Sequence, residues 1–97
     1  MKHKISEIQI VPVKPKDGLV AFASFVLDGN IYLGSIGIMA KLNGGFRLVY
    51  PTKKIGNRNI NLFHPINKEF GQFIEIEVLK HFEKVMKAYD RYNSFNS

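Results

Sequence analysis

"LFHPINKEFGQFIEIEVLKHFEKV", residues 62–85, decides the fold. Upstream of it apolar side chains alternate with polar ones or run together in short blocks, the pattern of strands. From about Lys68 the repeat changes. Phe70, Ile74, Val78, Phe82, Val85 and, just beyond, Tyr89 fall on one stripe of an α-helix. Asn67 suits the N-cap and Glu69 the positive end of the first turn, while Gly71 weakens that turn. A helix running to Tyr92 would measure roughly 37 Å at 1.5 Å per residue. That is longer than so small a domain is wide, so its last turns must fray or pack on something else. "NSFNS", residues 93–97, reads as a frayed tail.

Working outward toward the N-terminus, the strands separate at turn chemistry. Residues 5–13 (ISEIQIVPV) are rich in β-branched side chains, and Pro12 places them at a sheet edge or a strand end. The segment 14–18 (KPKDG) and the segment 28–30 (DGN) carry the Asp-Gly hairpin signal. Between them 19–27 (LVAFASFVL) is apolar on both alternating faces, which predicts a strand buried on both sides. Residues 31–39 form a third strand, with Gly34 and Gly37 marking a bulge or a close approach. After the turn 41–45 (KLNGG) come a short strand at 46–50, a basic loop, and a fifth strand at 59–64. The expectation is one α+β domain over residues 1–97, with its core at about 5–87. It comprises a small antiparallel sheet of about five strands and a long C-terminal helix. So small a core favours association into a homodimer.

Charge supplies the functional signal. The chain carries a formal +6, yet no acidic residue lies between Asp28 and Glu69. That gap holds Lys41, Arg47, Lys53, Lys54, Arg58 and Lys68, with Asn57 and Asn59 in the loop "KKIGNRN". Cations, side-chain amides and a pliable backbone are the groups that satisfy phosphate oxygens. Arg47, Lys53, Lys54, Asn57, Arg58, Asn59 and Lys68 are therefore the expected nucleic-acid contacts, with Tyr50, Phe63 and His64 beside the loop as stacking partners for bases. A secondary basic stripe, Lys80, Lys84, Lys87 and Arg91, runs along the helix with Glu83 among it. Lysines on the outer face of an amphipathic helix are ordinary, so the loop ranks first.

Several function classes drop out. With no cysteine there is no disulfide, thiolate metal site or cysteine nucleophile. His3, His64 and His81 show no metal-ligand spacing, and Glu77 with His81 reads as a surface pair. His64, beside a proline at the start of the helix, reads as structural. No catalytic constellation, metal or cofactor is expected. No apolar run reaches the roughly 20 residues that a membrane helix needs, and the opening lacks a signal-peptide block, which predicts a cytoplasmic protein.

The order of the motifs resembles a known family. A "DG" turn leads to a strand with Ala23, Ser24, Leu27 and Asp28, and an "NGG" turn (43–45) leads to "YPTKK" (50–54). A basic loop then leads to "HPIN" (64–67) and the helix. This arrangement is similar to the stage V sporulation protein G family of bacterial septation regulators, over about residues 5–87. The resemblance implies a homodimer of small antiparallel sheets with C-terminal helices, binding DNA, and RNA, in gene regulation. Lys53 and Lys54 match the family's basic pair, and His64, Pro65 and Ile66 its "HPI". The loop departs from the family pattern in having no acid, and Gly37 stands where the family has an arginine. A non-enzymatic module that binds an acidic protein through the same basic surface is the alternative.

Overall fold

The computed structural model describes residues 3–96, with side chains through Tyr89. Six strands precede one helix: β1 (Ile5–Lys16), β2 (Leu19–Leu27), β3 (Ile31–Ala40), β4 (Phe46–Val49), β5 (Thr52–Ile55), β6 (Arg58–Asn61) and α1 (Lys68–Asn96). β1 to β4 form an antiparallel sheet in chain order, and β5 and β6 form a separate two-stranded hairpin. The expected α+β architecture is present. The segment anticipated as a loop followed by a strand at 59–64 is instead this hairpin.

Each turn follows from its residues. Asp17 and Gly18 both take positive φ, 52° and 91°, and so do Asp28 and Gly29, 52° and 68°. Two successive residues at positive φ make type I′ geometry, whose twist matches that of paired strands. The Leu27 carbonyl accepts the Asn30 N–H at 3.0 Å and closes the second turn. β1 continues past Pro12 to Lys16, further than the sequence suggests. It is an edge strand, and an edge tolerates a residue with no N–H to give.

Register sorts the side chains onto two faces. Pro12, Ala21, Ile38 and Leu48 lie in one row across the four strands, and Ile10, Ala23 and Ile36 in another. Ala21, Ala23, Phe25, Ile36, Ile38 and Leu48 are buried on this inner face against Ile74, Val78 and Phe82 of α1. Phe82 meets Phe46 edge to face at 4.9 Å. The alternate row, Val11, Phe22, Gly37 and Val49, points the other way. β2 is therefore not buried on both sides: Phe22 is 40% exposed. The small residues Ala21 and Ala23, not a second covering layer, let the inner face close against the helix.

The helix begins as its sequence dictates. The Asn67 side-chain oxygen accepts the Phe70 N–H at 2.9 Å, an N-cap. Gly71 has a packing reason: a Cβ there would come within 3.3 Å of Pro65 Cγ, so the glycine lets "HPIN" fold back onto the first turn. The apolar stripe is buried from Ile74 to Phe82, and Tyr89 stands half-exposed. The backbone is helical through Asn96, so residues 93–96 continue the helix where a frayed tail was expected. At about 1.5 Å per residue its 29 residues match the longest dimension of the molecule, 43 Å.

Candidate nucleic-acid interface

Gly56 and Asn57 link β5 to β6, and the register pairs Lys53 with Ile60, Lys54 with Asn59, and Ile55 with Arg58. Gly56 has φ 61°. Positive φ at the first of two linking residues is the type II′ hairpin, for which glycine is preferred. All eight strand residues are exposed. The basic stretch is thus a projecting ribbon, not a loose loop.

Opposed residues in an antiparallel pair share a face. One face of the ribbon therefore carries Lys53, Ile55, Arg58 and Ile60, and the other Thr52, Lys54, Asn59 and Asn61. The three cations that adjoin in sequence are split two and one. Asn57 sits in the turn. The second face is wholly polar, a cation among amides and a hydroxyl. The first mixes cations with aliphatics.

The remaining expected contacts lie elsewhere. Arg47 is in β4, opposite Met39 and on the outer face of the sheet with Val49. Lys68 is the first residue of α1, on an exposed turn. Lys80 pairs with Glu77 at 3.4 Å. Lys84 and Lys87 are exposed on the helix, and the Arg91 side chain lies outside the described residues. The ribbon and the helix stripe are separate basic features.

Of the aromatics expected to stack on bases, Tyr50 and Phe63 pack against the core edge, whereas His64 is exposed. Tyr50 and Phe63 pack edge to face at 6.0 Å. The Tyr50 hydroxyl is buried without a hydrogen-bond partner. Burial, then the charge of Glu75, pushes it up to about 12. His64 is exposed at the mouth of a small cavity with Tyr50, Phe63 and Pro65, its Nδ1 3.2 Å from the Pro65 carbonyl oxygen. The cap itself is Asn67, not His64. Phe22 and Tyr32, exposed on the outer face of the sheet, are aromatics that the sequence pattern does not single out, and Tyr89 on α1 is half-exposed as well. Tyr32 follows a turn in an otherwise apolar strand, and alternation from the buried Ile36 and Ile38 does not reach it across the bulge at Ser35.

A second polar cluster closes the other end of the sheet. Asp28 accepts the Lys4 N–H at 2.8 Å and lies 2.9 Å from His3 Nδ1. The His3 contact, followed by the Lys4 bond, holds the Asp28 carboxyl below its usual range. Among the described residues no cluster of three or more His, Asp or Glu side chains is placed to hold a metal ion. No helix among them is long and apolar enough to cross a membrane.

A family model described as SpoVG matches residues 3–84, which takes in all six strands and more than half of α1. Two relatives named "Putative septation protein SpoVG" are similar over most of their length. The one from Treponema denticola is 29% identical over 82 residues, 84% of this chain and 87% of that protein. The one from Bdellovibrio bacteriovorus is 26% identical over 85 residues, 88% of this chain and 78% of that protein. With the sheet, the basic ribbon and the capped helix all inside the matched span, the chain belongs to the SpoVG family.

Proposed function

We propose that this protein is a cytoplasmic, non-enzymatic, dimeric regulator that binds nucleic acid through the β5–β6 ribbon. A role in septation, the process for which its relatives are named, belongs to the same proposal. The observation that carries the reading is the ribbon itself. Ten residues, 52–61, include three cations, three asparagines and no carboxylate, on strands exposed along their whole length. A two-stranded ribbon fits the major groove of duplex DNA, about 12 Å wide. Its amides match base edges and its cations match phosphates. Two copies would present two ribbons, and two ribbons at fixed spacing suit a two-fold target.

Salt dependence of binding to duplex DNA tests this. Each phosphate contact contributes about −0.9 to the log–log slope. Replacing Lys53, Lys54 and Arg58 by Gln should flatten the slope by about three per subunit and leave the melting temperature unchanged, since exposed charges contribute little to stability. The same treatment of Lys80, Lys84 and Lys87 should change it by one or two at most. Loss of binding in the helix variant, with the ribbon variant intact, would move the interface to α1. A shallow slope in the unaltered protein would favour an acidic protein partner.

A further inference from the structure

The outer face of the four-stranded sheet is open, and it carries two rings. Phe22 on β2 is 40% exposed and Tyr32 on β3 is 69% exposed. Both line one cavity of about 270 Å³, with Gln9, Val11, Ser24 and Ser35 between and beneath them. The Tyr32 ring is held by its neighbour: a Cβ on Gly34 would fall 3.0 Å from Tyr32 Cε1 and Oη, so the ring lies across the bare glycine. Ser35 takes φ 59°, a conformation that costs a non-glycine residue energy and tends to mark functional sites. It sits where the β2–β3 register shifts, opposite Ser24. Ser24 is itself 8% exposed at the floor of the slot.

We infer that this slot takes an unpaired base of a single-stranded nucleic acid, stacked against Phe22 and Tyr32. The inference rests on the nucleic-acid reading above but concerns a different surface from the ribbon. Exposed aromatics on a β-sheet stack bases whatever their sequence, because every base has a π-face. The volume lies just below the range of about 300–1,000 Å³ usual for larger small-molecule ligands, which suits a single base. The Gln9 amide and the Ser24 and Ser35 hydroxyls supply the donors and acceptors that a base edge needs. Charge points the same way. The row Lys16, Leu19, Met39 and Arg47 crosses one end of the same sheet, with a cation at each side for the backbone phosphates. The rows through Phe22 and Tyr32 contain no carboxylate, and Glu7, in the β1 bulge between Ser6 and Gln9, is the acid nearest them in register. A second copy of the chain is the rival occupant. The polar floor and the cationic row favour a hydrogen-bonding anion over an apolar twin.

The test is fluorescence anisotropy with labelled oligo-dT, oligo-U and a duplex of equal length, on the full chain and on Phe22→Ala, Tyr32→Ala and Tyr32→Phe. Tyr32→Ala and Phe22→Ala should each weaken binding to the single strands about tenfold or more, with duplex affinity within about twofold of wild type. Tyr32→Phe should bind as wild type does. Comparison of oligo-dT with oligo-U tells which sugar is preferred. The inference is overturned if Tyr32→Ala, whose exposed ring can leave without unfolding the domain, keeps full single-strand affinity. It is equally overturned if the wild type binds duplex but neither single strand. Dissociation of a dimer by Tyr32→Ala in sedimentation, with single-strand binding intact, would assign the face to a second copy. Failure to bind any of the three oligonucleotides would remove the nucleic-acid reading as a whole.

Discussion

Single side chains set the ends of the elements, and two of them give sharp tests. Asn67 caps the helix, a role legible in the sequence because an amide three residues ahead of a periodic apolar run has few other uses. Asn67→Ala should cost about 1 kcal/mol. For a domain of this length that lowers the midpoint of thermal unfolding by roughly 4–8 °C, measurable by circular dichroism. The contacts of Asp28 are not legible beyond its place in the turn, because His3 and Lys4 lie far from it in sequence and only the β1–β2 pairing brings them together. Its carboxyl is depressed in the folded state, so its contribution is present at neutral pH and is lost as acid protonates it. The difference in midpoint between wild type and Asp28→Asn should therefore be present above about pH 4 and shrink as pH falls below it. Asparagine tolerates the positive φ of this turn, so the comparison isolates the charge.

The ribbon shows most plainly where sequence reasoning stops. Composition marks residues 53–59 as a basic, pliable loop free of acids, and the structure keeps the charge while changing the element to a hairpin. Four-residue strands carrying alternate lysine, isoleucine and asparagine give too weak an alternation to separate from a loop. The signal present is Gly56-Asn57, which suits a II′ turn but in composition reads equally as a pliable loop. The split of Lys53 and Arg58 from Lys54 depends on register, which adjacency in sequence cannot give. Because glycine there has φ 61°, Gly56→Val should strain the turn and loosen the pairing of β5 with β6. Every residue of the hairpin is exposed, so the melting temperature should hold while duplex affinity drops severalfold in anisotropy. An unchanged affinity would mean that the paired form of the ribbon is not what binds.

At the scale of the whole molecule the helix is as long as the domain, 43 Å, and its apolar stripe outruns the sheet it covers. Near its C-terminal half a groove of about 800 Å³ opens between Val13, Val20, Phe46, Phe82, Met86 and Tyr89. An apolar groove beside an overhanging helix is a surface that a second subunit can close. Sedimentation equilibrium at micromolar concentration should return about twice the chain mass, and Tyr89→Glu should shift it toward the monomer. A chain that sediments as a monomer under both conditions would refute the dimer. The α+β class was readable from the change of period at Lys68, because that change is local. The open outer face was not, since a strand such as β2 with apolar residues on both sides looks the same whether one face or two are covered.

The ribbon bears no part of the core, and that has a bearing on how such a protein can change. Substitutions in most of a domain this small draw on a margin of only about 5–15 kcal/mol. Those at residues 52–61 draw on it least, because the strands there are exposed and none of their residues belongs to the core. On the nucleic-acid reading proposed above, point substitutions in the ribbon can therefore change what it contacts in a scaffold that stays folded. The acid-free ribbon of this chain is the kind of variation such a decoupled segment permits.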